Sequence, residues 1–222
     1  MVPETTVTGP LPKPRMRGRF HQIAFFASIP AGIALILIAP NAKAKVAVII
    51  FAVALAGLYA SSAAYHRLHW SPKALSRMKR LDHSMIFVLI AGTYTPFSLL
   101  VLHGALSIVM LCLVWAGALA GIVMKLVRID GLKVLTGFMY IALGWVAVLG
   151  APQIYHYLSG TTLALLFAGG LLYSLGALVL VTHKPDPNPR VFGYHEVWHS
   201  MVIGGGICHY CVILLVVIGL RT

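Results

Sequence analysis

Charged residues are scarce in this sequence, and acidic residues are scarcer still. Only 10% of its 222 residues are charged and 59% are hydrophobic, whereas about a quarter of a typical soluble domain is charged. This composition excludes a water-soluble enzyme or binding module and indicates an integral membrane protein. Cysteines are also few, and Cys112, Cys208 and Cys211 all lie in apolar runs, which excludes a disulfide framework. Cys208 and Cys211 form C-x-x-C, but on a membrane helix small core residues are favoured over a redox or metal site.

Long apolar runs make up most of the chain. A membrane-spanning helix needs about 20 mostly apolar residues, and seven segments meet this requirement. The sequence therefore predicts an all-α, polytopic membrane protein, a seven-transmembrane-helix bundle. The predicted helices cover residues 20–40, 44–68, 83–103, 105–127, 132–150, 161–182 and 195–220, with "APQIYHYLSG" as the loop between the fifth and the sixth.

The N-terminal residues have a different composition. Residues 1–19 are polar, basic and rich in proline, which predicts a disordered cytoplasmic tail, whereas residues 20–222 form the membrane domain. An alternative is a signal peptide that is cleaved after Ala44 in "APNAKA", which would leave six helices.

The basic residues predict the orientation of the bundle. In membrane proteins, lysine and arginine accumulate in cytoplasmic loops. Fourteen of the 17 basic residues lie on one side of the predicted helices, so we expect the N-terminus in the cytoplasm and the C-terminus outside. The net charge of +12 then reflects topology and contact with anionic lipid headgroups rather than nucleic acid, and we expect the chain in a cytoplasmic membrane.

Polar residues from three predicted helices meet at one membrane depth. His66 ends the second helix, Asp82 begins the third, and His195 and His199 begin the seventh. Ionisable groups are costly in membrane helices, so these residues are candidates for function. His195 and His199 are four residues apart and share a helix face, which suits a zinc ion. With His66 they provide three ligands and an open fourth position, the pattern of catalytic zinc sites.

Structural interpretations of the same residues stay open. His66 could be an interfacial histidine, and His195 and His199 could pack against other helices or contact headgroups. Asp82 could cap the third helix, because aspartate is a favoured N-cap. Ser62, one turn deeper than His66, could be a small packing residue. For His209, about 15 Å deeper than His199 by helical rise, we expect a buried hydrogen bond.

The segment "HEVWH" adds a competing interpretation. His195, Glu196 and His199 match H-E-x-x-H, in which two histidines bind zinc and the glutamate is the general base of a metalloprotease. The longer form of this motif, with a glycine and a third histidine at fixed later positions, is absent. The third ligand would have to come from upstream, where His66 is the obvious donor. We therefore expect the glutamate to be coincidental.

Two stretches together resemble the hemolysin III family, the bacterial branch of the progestin and adiponectin Q receptor family. They are "SSAAYHRLHWSPKALSRMKRLDHSMIFVLIAGTYTPF" and "HEVWHSMVIGGGICHY". The resemblance covers the seven-helix chain and implies a zinc ion held by His66, His195 and His199. It further implies that Asp82 holds and polarises a water in the fourth position and that Ser62 supports the site.

The resemblance also implies an activity, hydrolysis of an amide or acyl bond in a membrane lipid. Gly92 and Pro96 match a helix-three motif of the family, in which a small residue and a kink shape the bundle. Two other functions remain open: a non-enzymatic sensor of membrane state with a structural zinc, and a pore-forming cytolysin, as the family name suggests.

Overall fold

The structure, a computed structural model, describes residues 13–129 and 132–221. Its helices are α1 (Arg19–Ile38), α2 (Ala42–Arg67), α3 (Pro72–Leu100), α4 (Gly104–Val127), α5 (Lys133–Trp145), α6 (Ala151–Tyr157), α7 (Gly160–Thr182) and α8 (Tyr194–Gly219). A 3₁₀ turn, Val146–Gly150, joins α5 to α6. Within the described residues, seven segments are long and apolar enough to cross a membrane, and α5, the turn and α6 together make the fifth. The predicted all-α seven-span bundle is confirmed.

Two predicted boundaries were wrong. The third helix begins at Pro72 rather than His83, because Ser71 caps it and a proline is well tolerated in the first turn. Its first turns are basic, so hydropathy alone misses them. The segment predicted as a loop after Gly150 is mostly helical, since Ala151–Tyr157 forms α6 with Pro152 in its first turn.

Helices α2 and α3 form the inner part of the bundle. More than half of the spanning window is buried in α2 and in α3, compared with 11% in the span that contains α5 and α6. Gly92 allows α2 and α3 to approach closely, because a methyl group at Gly92 would lie 2.5 Å from the Ala54 side chain. The outer helices present large apolar side chains on the surface, as the hydrocarbon of a bilayer requires.

The predicted N-terminal tail lies only partly within the described residues, because residues 1–12 are outside them. Residues 13–18 lead into α1 through a turn. The backbone N–H groups of Arg15 and Met16 donate hydrogen bonds to the carbonyls of Arg190 and Val191, at 3.1 Å each. This turn therefore lies against the loop that precedes α8.

Candidate metal centre

Three histidines meet where α2 ends and α8 begins. His66 lies in the last turn of α2, and His195 and His199 lie in the first two turns of α8. The two α8 residues share a face because they are four positions apart. A metal-binding atom of each histidine lies within 4.8 Å of those of the other two, and no other group of this kind occurs in the described part of the chain.

The spacing of the imidazole nitrogens fits a shared ion. His66 Nε2 and His195 Nε2 are 3.2 Å apart. Two nitrogens that bind one tetrahedral zinc at about 2.0–2.1 Å lie about 3.3–3.4 Å from each other. A hydrogen bond between the two rings would give a similar distance, so the pair alone does not decide between an ion and a hydrogen bond.

His199 separates these two interpretations. Its side chain is 1% exposed, and its Nε2 has no hydrogen-bond partner among the described residues. A hydrogen bond between His66 and His195 would leave this nitrogen unsatisfied, which is costly inside a membrane protein. One ion between the three rings satisfies all three nitrogens. The three histidines lie close together and could bind a metal ion.

A fourth histidine, His21, was missed by the sequence analysis. It lies in the first turn of α1, is 3% exposed, and stacks on His199 with ring centroids 3.9 Å apart and planes 10° apart. A metal ion lies close to the plane of each imidazole that binds it, so two parallel rings at this separation cannot share one ion. His21 therefore supports the ring of His199 rather than completing the ligand set. The sequence could have identified His21 by its position at the N-terminal end of α1, which lies at the same end of the bundle as His195.

Asp82 lies on α3. It is the eleventh residue of that helix and is buried, so it is not the cap that one interpretation proposed. The Ser62 hydroxyl, which lies four residues before His66 on α2, is within interaction range of the Asp82 carboxyl. This hydroxyl makes no hydrogen bond of ordinary geometry within the described residues. Asp82 is not among the converging metal-binding atoms, and its role towards a bound water stays a prediction.

Both carboxylate oxygens of Glu196 are engaged by groups other than the three imidazoles. Oε2 accepts a 2.8 Å hydrogen bond from the backbone N–H of Gly193, which caps α8, and Oε1 pairs with Nε of Arg17. The general base of a metalloprotease needs a carboxylate oxygen directed at the metal-activated water. The H-E-x-x-H pattern therefore contains two histidines of the cluster and one helix-capping glutamate.

His209 lies deeper in α8 beside Tyr173, with ring centroids 5.4 Å apart. Gly169 leaves the space for it, because a methyl group there would lie 2.7 Å from His209 Nε2. The ring lies next to the backbone of Leu166, but neither nitrogen makes a hydrogen bond of ordinary geometry within the described residues. The predicted buried hydrogen bond of His209 stays a prediction, with the backbone of Leu166 as its candidate partner.

Comparison with known proteins gives the family. A family model described as Haemolysin-III related matches residues 10–210. The "Hemolysin-3 homolog" of Bacillus subtilis (strain 168) is 38% identical over 202 residues, covering 86% of this chain and 91% of the relative. The "Hemolysin-3" of Bacillus cereus is 37% identical over 200 residues, covering 88% of each.

A human protein extends the relationship. The "Monocyte to macrophage differentiation factor" of Homo sapiens is 26% identical over 170 residues, covering 75% of this chain and 68% of the relative. This match supports the link between the bacterial proteins and the progestin and adiponectin Q receptor family. Together with the seven apolar helices, the Bacillus relatives make this chain a multi-pass bacterial membrane protein.

Proposed function

We propose, on the premise that the chain belongs to the Haemolysin-III related family, that it is a zinc-dependent hydrolase of membrane lipid. His66, His195 and His199 would hold the zinc ion. The observation that supports this most is the buried and unpartnered Nε2 of His199, in a ring whose centroid lies 4.5 Å from that of His195 and 5.2 Å from that of His66. Three nitrogen donors with no carboxylate among them suit zinc better than calcium or magnesium, which prefer oxygen ligands.

The three nitrogen donors also favour a catalytic zinc site over a structural one. Structural zinc sites have four protein ligands, whereas catalytic sites have three and leave one position for water or substrate. His21, the nearest further imidazole, stacks on His199 and so leaves the fourth position open. When bound in such a site, zinc supplies a Lewis acid that polarises a carbonyl group and activates water.

Asp82 would accept a proton from the activated water, and Ser62 would orient Asp82. The Asp82 carboxylate would hold a water by hydrogen bonding and accept its proton. The Ser62 hydroxyl next to Asp82 would donate to this carboxylate and fix its orientation. Both residues lie on inner helices, α2 and α3, whose packing keeps them in place.

The substrate would be a lipid with an amide or acyl carbonyl group. The three histidines lie at the ends of two membrane-spanning helices, so a lipid that approached laterally would bring its carbonyl group to a similar depth. By the distribution of basic residues this end faces the cytoplasm, and the lipid would come from that leaflet. Anionic headgroups would contact the basic residues around the site.

A structural zinc in a non-enzymatic membrane sensor is the second candidate. Helices α2 and α8 contact each other sparsely compared with α2 and α3. The histidine cluster is a main junction between α2 and α8, so an ion there would stabilise their arrangement. The same three ligands serve both functions, and turnover is what distinguishes them.

The names of the two Bacillus relatives refer to haemolysis, which makes a pore-forming cytolysin the third candidate. Purified protein added to dye-loaded liposomes tests it directly. Dye release that depends on protein concentration would support a pore, whereas intact liposomes would dismiss it.

Metal content tests the proposal first. Elemental mass spectrometry of the detergent-purified protein should give about one zinc per chain, lost in His66→Ala and His199→Ala. His103→Ala, at the opposite end of the bundle, is the matched control and should keep its zinc. Absence of zinc from folded wild type, even after zinc is supplied, would overturn the proposal.

Turnover is the second arm of the test. Zinc-loaded protein in vesicles should release fatty acid from amide-linked or ester-linked lipids, and the zinc-free protein should not. A protein that keeps its zinc but releases no fatty acid from either class would favour the structural-zinc candidate.

A further inference from the structure

Arg17 and Glu196 connect the N-terminal turn to α8 at the rim of the metal centre. Glu196 is 1% exposed, and its Oε1 contacts Nε of Arg17, which lies two residues before α1. The two backbone hydrogen bonds from Arg15 and Met16 to the loop before α8 lie alongside this pair. The ring of Phe20 meets that of Phe192 edge to face, with centroids 5.7 Å apart. Backbone, charge and apolar contacts therefore hold the same short segment.

This segment lies directly against His66. Gly18 is buried and has a φ of +75°, a conformation that glycine adopts without strain. A methyl group at Gly18 would lie 2.7 Å from the Cβ of His66, so the backbone of the turn rests on that side chain. Residues 14–18, which we call the cover, thus close one side of the histidine cluster.

The charge of Arg17 would oppose a metal ion at this place. Arg17 lies within electrostatic range of His66, His195 and His199. A guanidinium is always protonated, and its repulsion of a dication is strong where little water screens it. The carboxylate of Glu196 cancels this charge at close range. The Glu196 side chain therefore has two effects. Its ion pair with Arg17 holds the cover in place, and its negative charge reduces the repulsion between Arg17 and a bound cation.

We propose that Arg17 and Glu196 form a charge-compensating clip that holds the cover over the metal centre, and that Glu196 is a positioning residue. This inference rests on the proposed zinc site and says how its affinity is set. It also accounts for the glutamate of H-E-x-x-H, which the metalloprotease interpretation would make a base. The clip acts on the ion through Arg17 and His66 rather than by contact.

Glu196→Gln is the decisive variant. A glutamine at this third helical position can still accept from the N-cap N–H, so the cap of α8 is kept while the negative charge is lost. The purified variant should bind zinc at least tenfold more weakly than wild type in a competition titration with a chromogenic chelator. Arg17→Gln/Glu196→Gln should recover to within about threefold of wild type, because the uncompensated charge is gone.

A rescue of this kind separates the clip from the other roles of Glu196. If Glu196 only stabilised the fold, removal of its partner would not restore zinc affinity. If Glu196 were a general base, Glu196→Gln would bind zinc as wild type and lose turnover. Either result would overturn the proposal.

Hydrogen exchange tests the cover without any metal. In detergent, the backbone amides of Arg15 and Met16 should exchange at least tenfold faster in Glu196→Gln and in Arg17→Gln than in wild type. Unchanged exchange in both variants would show that the pair does not hold the cover. If wild type binds no zinc, the proposed function fails, and this exchange measurement still decides whether the clip exists.

Discussion

Histidines lie at both ends of this bundle, and the two groups differ in what surrounds their nitrogens. At one end metal-binding atoms of His66, His195 and His199 converge, and the buried Nε2 of His199 has no hydrogen-bond partner among the described residues. At the other end His103 and His156 line a shallow open pocket with Gln153 and Tyr157. His103 is exposed, and its ring centroid is 6.5 Å from that of Tyr157.

The difference shows that a histidine count does not identify a metal site. Exposed imidazoles are satisfied by water and need no ion. Where imidazoles converge and one of them is buried without a partner for its Nε2, a cation that accepts a lone pair from each ring is the simplest group that satisfies them. Convergence and burial are therefore the features that separate the two ends of the molecule.

Removal of one converging histidine should give the largest effect. His199→Ala should weaken zinc binding by about 1000-fold or more, because two ligands replace three and the buried position is left to weak donors. His156→Ala removes an imidazole at the opposite end and should change zinc affinity less than twofold. A competition titration measures both. Equal losses in the two variants would contradict the contrast between the ends.

Asp82→Asn should separate binding from chemistry. Asparagine keeps the size of the side chain but does not accept a proton, so turnover should fall by about 100-fold or more. Zinc affinity should stay within about tenfold of wild type, the lower range for a residue that acts on a ligand or water from outside the ligand set. Fatty-acid release and metal content measure the two quantities. Wild-type turnover in this variant would exclude Asp82 as the proton acceptor.

Gly18→Ala should disturb the backbone conformation of the cover and its contact with His66. Alanine at a φ of +75° costs about 1–2 kcal/mol, and overlap with the His66 Cβ adds to this. We expect a lower midpoint of thermal unfolding and a several-fold loss of zinc affinity. Gly170→Ala is the control, because nothing lies within 4 Å of a methyl group there and α7 gains a better helix former. A Gly18 variant that behaves like this control would show that the cover is loose.

The stacked histidine should give the smallest effect. His21→Ala removes the ring that packs on His199 and should weaken zinc binding by only about threefold, because it removes packing and no nitrogen that binds the ion. His21→Phe keeps a flat ring in the same place and should restore most of the affinity. Failure of phenylalanine to restore it would mean that a nitrogen of His21 takes part, and the stacking role would then be wrong.

Much of the fold can be predicted from the sequence alone, because the bilayer constrains the length and the backbone hydrogen bonding of each spanning segment. Seven apolar runs of sufficient length give seven helices in any arrangement that satisfies the backbone in lipid. The ends of the helices were harder to predict, as α3 and α6 show, because a hydropathy profile does not detect helix caps or basic first turns. The choice of His66, His195 and His199 was also possible from spacing and depth, since two of them share a helix face.

The contacts between side chains of distant residues could not be predicted from the sequence. The stack of His21 on His199 joins α1 to α8, and the pairing of Arg17 with Glu196 joins residues 179 positions apart. No local pattern encodes such contacts, because they depend on which helices become neighbours and how each is rotated. The sequence by itself determined a seven-helix membrane protein with histidines at one depth. Tertiary packing alone decided which nitrogens converge, which carboxylate is already engaged, and which side of the cluster the N-terminal turn covers.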